Sequence, residues 1–124
     1  MSTDLDSFWQ KAREVGVVLS ATEDYKATEP VLQDLVAIVK SRPDLLLQFE
    51  NAFIEMLEDP AQYSVLAVQY CMHVLRLPGV RQHALNRLER APLRSDAHAR
   101  YVVEAYSDAW PLAAIFKRSL RPLQ

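Results

Sequence analysis

Apolar residues recur every three or four positions along most of the chain, a spacing that predicts amphipathic helices. The first such stretch predicts a helix over residues 4–19. Its apolar face consists of Leu5, Phe8, Trp9, Ala12, Val15 and Leu19. Residues 20–29 are polar and predict a connecting loop. Since no stretch alternates apolar and polar residues as a half-buried strand does, the pattern predicts an all-α protein.

Prolines mark the boundaries of the remaining predicted helices. Those that begin an apolar stretch are Pro30, Pro43, Pro78 and Pro111, and those that follow the end of one are Pro60, Pro92 and Pro122. Proline is tolerated in the first turn of a helix and disrupts a helix interior. Because the prolines repeat at intervals near 33 residues, they predict three helical hairpins, over residues 30–58, 60–91 and 95–121. We therefore expect a short right-handed α-solenoid, with residues 4–19 as its N-terminal capping helix.

Two local contacts follow from the hairpin pattern. Asp59 directly precedes Pro60 and is predicted to cap the helix that begins there, with Gln62 at the capping-box position. Glu55 and Arg90 lie at equivalent positions in the second helices of the first two hairpins. Since equivalent helices of adjacent repeats are neighbours, we expect an ion pair between these two residues.

Composition is consistent with a single domain over residues 1–124. Half of the residues are hydrophobic and only two are glycine, as expected for a helical chain with its own core. The single cysteine, Cys71, excludes an internal disulfide and fits a reducing compartment. The N-terminus is acidic rather than basic, unlike a signal peptide, and no apolar run is long enough to span a bilayer. We expect a cytoplasmic protein that does not enter membranes.

The net charge of −2 conceals a strong asymmetry between the two halves of the chain. Residues 1–60 carry 12 acidic and 5 basic side chains, whereas residues 61–124 carry 4 acidic and 9 basic ones. Charge asymmetry of this kind bears on partners and association rates rather than on fold. The low overall pI of about 5.9 argues against nucleic acid as the partner.

The histidines, the cysteine and the glycines do not form a recognisable catalytic, metal-binding or phosphate-binding motif. His73, His83 and His98 fall on three different predicted helices, so they are not spaced as metal ligands. Cys71 lies within an apolar helix, where a buried structural thiol is expected rather than a nucleophile. Glycine-rich phosphate loops and paired CxxC motifs are absent. We expect neither enzymatic activity, nor a cofactor, nor a metal ion.

The acidic residues of the first half are candidates for a partner-binding surface. Glu58 lies at the C-terminal end of its predicted helix, where a negative charge opposes the helix dipole, and such violations point to function. Tyrosine and arginine are enriched at interface hot spots. The predicted partner-binding residues are Glu23, Asp24, Glu50, Glu55, Glu58, Asp59, Tyr63 and Arg81. The alternative is that the carboxylates among them only lie at solvated helix ends and bind no partner.

The pattern of helix, proline and second helix resembles HEAT-like repeats, most clearly over residues 63–88, and the resemblance covers residues 30–122. A small chain of this kind also resembles the HEAT-like immunity proteins that protect bacteria from their own toxins, including those of contact-dependent growth inhibition. That resemblance implies a monomer that forms a tight, non-catalytic complex with a cognate toxin domain, often a nuclease, and occludes its active site. Acidic immunity surfaces typically meet basic nuclease clefts, which the acidic half would suit.

Two other functions remain open from the sequence. A HEAT-like adaptor or scaffold would bind a helix or peptide of a partner protein in its groove. A HEAT-like DNA glycosylase would bind nucleic acid through a basic groove that contains aromatic residues and a carboxylate.

Overall fold

The computed structural model describes residues 3–90 and 97–116, and these residues form helices and turns without any strand. The α-helices within them are Thr3–Thr22 (α1), Glu29–Ser41 (α2), Leu46–Glu58 (α3), Val65–Leu75 (α4), Pro78–Arg90 (α5) and Ala97–Ala105 (α6). Short 3-10 turns occupy Tyr25–Thr28, Pro43–Leu45 and Pro111–Ala114. The prediction of an all-α protein is confirmed for the described part of the chain.

The helices pack in two neighbouring sets. In the first set α1 lies against α2, and α4 lies between α2 and α6. In the second set α3 lies beside α5, and these helices also contact α4 and α6 respectively. The acidic helix α3 is therefore next to the arginine-rich helix α5. This neighbourhood was predicted from their equivalent positions in adjacent hairpins.

A cluster of aromatic rings attaches α1 to the rest of the molecule. The ring of Phe8 is fully buried, with its centroid 5.3 Å from that of Phe49 and 5.1 Å from that of Phe53. Pairs of buried rings at these distances stabilise a fold beyond the area they bury. At the surface, the guanidinium of Arg42 forms an ion pair with Asp4 at 2.6 Å, which adds little because both groups are partly exposed.

The helix predicted to begin at Pro60 begins instead at Val65, and the prediction that Asp59 caps it is wrong. Ser64 is the N-cap, with its hydroxyl oxygen accepting the amide N–H of Leu66 at 3.2 Å. Asp59 is the first residue of a turn, and its carboxylate accepts a hydrogen bond from the side-chain amide of Gln62 at 3.0 Å. The physical reason is burial, because residues 60–62 have no large apolar side chain to bury and the buried run starts at Leu66.

Other boundaries also differ from the pattern. Helix α1 continues to Thr22, and part of the predicted loop over residues 20–29 is a 3-10 turn. Pro78 begins α5 as predicted, whereas Pro43 and Pro111 each begin a 3-10 turn. Pro92, Pro122 and the two ends of the third predicted hairpin, residues 95–96 and 117–121, lie outside the described residues.

The start of α5 depends on a carboxylate from α3. Glu50 Oε2 accepts the backbone N–H of Gly79, the second residue of α5, at a distance of 2.6 Å. Leu77, which precedes the helix, has no side chain that could cap these amides. A Cβ on Gly79 would lie 2.6 Å from both carboxylate oxygens, so the glycine makes the close approach possible. Glu50 is thus a helix cap supplied from a neighbouring helix, and its negative charge also suits the N-terminal helix dipole.

We predict that Gly79→Ala lowers the free energy of unfolding by about 1–2 kcal/mol, because the new Cβ displaces the Glu50 carboxylate from the cap. Chemical denaturation of the four proteins of a double-mutant cycle with Glu50→Ala measures this coupling. In the Glu50→Ala background, the same glycine substitution is expected to be neutral or stabilising, because alanine is the better helix former. Equal costs in both backgrounds would contradict the assignment.

Candidate functional site: an acidic groove between the first helix and the end of α3

A surface groove of about 930 Å³ runs between α1 and the C-terminal end of α3. Its lining residues, which define the acidic groove, are Asp6, Trp9, Arg13, Ile54, Glu55, Glu58, Asp59, Gln62 and Tyr63. Four of the eight predicted partner-binding residues meet here: Glu55, Glu58, Asp59 and Tyr63. The groove exists because the turn over residues 59–64 returns the chain towards α1 before α4 begins.

Two aromatic side chains form the apolar part of the groove. The rings of Trp9 and Tyr63 are half-buried, with their centroids 5.3 Å apart. Trp9 in turn packs edge-on against the core residue Phe8, at 5.5 Å between centroids. Aromatic residues with one face fixed by the core and an accessible edge are suited to bind a partner at little entropic cost.

The charge of the groove is strongly negative. Four carboxylates and one guanidinium line it. Within the described part of the chain, no cation lies within 4 Å of the carboxylates of Asp6 or Glu55, and Arg13 has no acidic partner. The groove therefore presents unpaired negative charge around an aromatic pair.

Glu58 differs from the other groove carboxylates because it is paired with α5. Its Oε2 lies 3.1 Å from His83 Nε2 and also accepts from Arg87 Nη1. The hydrogen bond from His83 and the charge of Arg87 lower the pKa of Glu58, although partial burial opposes this. Arg87 Nη1 also donates to the carbonyl of Leu57 at 3.3 Å, so a cation faces the C-terminal end of α3. That cation offsets the unfavourable position of Glu58 relative to the helix dipole.

The ion pair predicted between Glu55 and Arg90 is not among the contacts of the described residues. The α3–α5 pair is made by Glu58 and Arg87, because the side chain of Glu55 faces the groove. Arg90 instead donates from Nε to the carbonyl of Asn86 within its own helix.

The remaining predicted partner-binding residues lie outside the acidic groove. Glu50 caps α5, and Arg81 is exposed on that helix. Glu23 is exposed in a left-handed conformation, with φ of 53°, directly after α1. Asp24 accepts the amide N–H of Lys26 at 3.0 Å and thereby caps the following 3-10 turn.

Asp6 and Trp9 are groove residues that the sequence analysis did not select. The spacing of Trp9 from Leu5 and Phe8 predicts that it belongs to the apolar face of α1. The signal that could have found both is their separation of three positions, which places an acid and an aromatic residue on one helix face.

His73 and His83 have separate hydrogen-bond partners, and Cys71 is buried in the core. His73 Nδ1 is 2.7 Å from the carbonyl oxygen of Ala105, and its ring packs on Trp110 at 4.8 Å. Over residues 3–90 and 97–116, no three His, Cys, Asp or Glu side chains are grouped as metal ligands. Within the same ranges, no helix combines the length and the apolar character needed to cross a membrane.

Comparison of the chain with protein-family models, with curated proteins and with solved structures gave no match. The functional argument therefore rests on the geometry and charge of the groove.

We predict that the contribution of Glu58 to stability is lost in acid. Because the folded pKa lies below its ordinary value of 4.5, this contribution is full above pH 4.5 and disappears as the pH falls through the lower folded value. Since Glu58 is half exposed, Glu58→Gln should cost less than about 1 kcal/mol at neutral pH. Melting temperatures of both proteins measured across the acidic range should converge. A difference that is constant with pH would contradict the pairing.

We also predict that Cys71 is unreactive in the folded protein. The thiol is completely buried, and burial raises its pKa, so very little thiolate forms and reagents cannot reach it. Titration with a thiol-reactive disulfide should show no modification in native buffer and one equivalent in denaturant. Rapid modification under native conditions would disprove this burial.

Proposed function

We propose that this protein is a non-catalytic binding module, an immunity protein that binds and neutralises a cognate bacterial toxin domain by occluding its active site. The observation that carries the proposal is the acidic groove, in which unpaired carboxylates surround the Trp9–Tyr63 ring pair. The proposed setting is the cytoplasm of a toxin-producing bacterium, as in contact-dependent growth inhibition. The protein is proposed to be monomeric before it binds.

The charge of the groove supports a basic partner surface. Unpaired carboxylates attract a cationic protein over distances of about a Debye length, roughly 8–10 Å, and thereby raise the association rate. A nuclease cleft that binds phosphates presents such a surface. Complementary charge favours fast and selective encounter, while the aromatic pair supplies apolar area for the close contact.

The role of Glu58 supports binding rather than proton transfer. Its carboxylate is held ionised by His83 and Arg87, and its position is determined by these contacts with α5. A fixed negative charge is useful for pairing with a cation. A general acid at neutral pH needs the opposite, a pKa raised by an apolar environment.

Part of the packing order supports a HEAT-like architecture as part of the proposal, although the two helices of each predicted hairpin, α2 with α3 and α4 with α5, make few direct contacts. In such a solenoid, the first helices of successive hairpins are neighbours, and so are the second helices. The contacts of α2 with α4 and of α4 with α6 fit the first relation, and the contact of α3 with α5 fits the second. In this arrangement α1 would be the N-terminal cap, and the acidic groove would lie at the capped end.

A general adaptor that binds a helix or peptide is the second candidate, and one observation favours it. A second depression of about 820 Å³ continues from the acidic groove along α1 and shares Arg13 and Gln62 with it. Val17, which lines this depression, is 66% exposed. A continuous trough with an exposed apolar side chain suits an extended peptide or a helix.

The direct test uses the product of the gene immediately upstream as the probe, purified with its C-terminal domain. Isothermal titration should show a one-to-one complex of nanomolar affinity, and the complex should lack the toxic activity of the free domain. Failure to bind would overturn the immunity proposal. Weak binding of several unrelated amphipathic peptides, without the tight complex, would favour the adaptor.

We predict that reversing the unpaired groove charges slows association. The double variant Asp6→Lys and Glu55→Lys should reduce the association rate constant on the order of tenfold and make it less dependent on salt. These two residues are preferable to Glu58, because reversal of Glu58 would also break its contacts with α5.

The matched control is Glu89→Lys, which makes the same type of change at an exposed position of α5 outside the groove. Stopped-flow association at several salt concentrations compares the variants. Equal rates and salt slopes for the groove variant and the control would exclude the acidic groove as the binding surface.

A further inference from the structure

A further pocket, of about 300 Å³, is separate from the acidic groove and from the depression along α1. It lies between α4, α6 and the 3-10 turns at residues 25–28 and 111–114. Its lining residues, which define the aromatic pocket, are Tyr25, Val65, Gln69, Tyr101, Glu104, Trp110, Pro111 and Leu112. None of these residues lines the acidic groove. The pocket is at the lower end of the volume range of small-ligand sites, which suits a single side chain better than a large cofactor.

The floor of the aromatic pocket contains an unpaired polar group. Gln69 is only 7% exposed, and its side-chain amide has no hydrogen-bond partner among the described residues. The amide retains contact with solvent through the pocket that it lines. The amide of Gln69 is therefore a polar group that faces the pocket and has no partner among the described residues.

The rim of the pocket combines two tyrosines with one carboxylate. Tyr25 and Tyr101 are 42% and 41% exposed, unusually high values for aromatic side chains of this protein. Glu104 is exposed, and it is the sole charged group among the lining residues of this pocket. Arg100, one turn earlier on α6, is not within 4 Å of the Glu104 carboxylate.

We propose that the aromatic pocket binds a guanidinium group. A guanidinium is planar, weakly hydrated and rich in N–H donors, so it can stack on tyrosine rings while donating to a carboxylate and an amide oxygen. Glu104 supplies the charge, Gln69 supplies the buried acceptor, and the tyrosines supply the stacking surface. An ammonium group matches this set less well, because it has no planar face and is more strongly hydrated. This inference does not depend on the proposed toxin partner.

The guanidinium can come from an arginine of another protein or from free arginine. The probes are N-acetyl-arginine methylamide, free arginine and the corresponding lysine and norleucine methylamides. Binding is followed by the side-chain amide resonances of Gln69 and by the fluorescence of Trp110 in a Trp9→Phe background. We expect saturable changes with the arginine methylamide, changes at least several-fold weaker with lysine, and none with norleucine. Tighter binding of the capped than of the free amino acid would identify a protein side chain as the source.

Two variants and a control complete the test. Glu104→Gln should weaken binding of the arginine methylamide about tenfold, through loss of the charged acceptor. Glu89→Gln makes the same change outside the pocket and should have no effect. Gln69→Leu should also weaken binding of the arginine methylamide several-fold, through loss of the amide oxygen as an acceptor. Unchanged binding in Gln69→Leu would show that this glutamine has only a structural role.

Equal responses to the arginine and norleucine compounds would show only apolar contact and overturn the proposal. Absence of saturation at tens of millimolar arginine methylamide would overturn it as well. Neither result would bear on the acidic groove, whose test uses a different partner and measures substitutions of Asp6 and Glu55.

Discussion

The contact of Phe8 with Phe49 and Phe53 is the interaction on which the acidic groove depends. It fixes α1 against α3 with fully buried rings at 5.3 and 5.1 Å between centroids. Since Asp6 and Trp9 are on the same helix as Phe8, this contact also determines where the wall of the acidic groove stands. Stability and the candidate binding surface therefore share one set of core residues, and α1 is an integral part of the fold.

The charge asymmetry of the sequence is used partly inside the molecule. Helix α3 gives one carboxylate to each end of its contact with α5, Glu50 at the first residues of α5 and Glu58 opposite Arg87. These pairs connect an acidic helix to a basic one. Three carboxylates without a cation partner among the described residues, Asp6, Glu55 and Asp59, line the groove. The charge asymmetry thus contributes both to the contact between α3 and α5 and to the negative charge of the groove.

Sequence periodicity predicted the helical class, most helix positions and the contact between α3 and α5, because these depend on local spacing and on burial of one helix face. It failed where a remote side chain competes with local capping rules. The cap from Glu50 to Gly79 spans 29 positions, and no local motif marks it. Three of the nine groove residues, Glu55, Glu58 and Asp59, were predicted from charge, and Tyr63 was predicted from the enrichment of tyrosine at interfaces. Trp9 was missed because an aromatic residue at helical spacing fits a core position equally well, and only the turn over residues 59–64 shows that Tyr63 meets it.

During synthesis of the chain, the residues of the groove are made before the helix that pairs with part of their charge. Every residue that lines it lies between positions 6 and 63, so its components leave the ribosome before the arginine-rich half. During that interval Glu58 has neither His83 nor Arg87 available, and the N–H of Gly79 is not yet present to donate to Glu50. The nascent first half is therefore more acidic at its surface than the finished protein. Completion of α5 withdraws two of these carboxylates and leaves the final charge pattern of the groove.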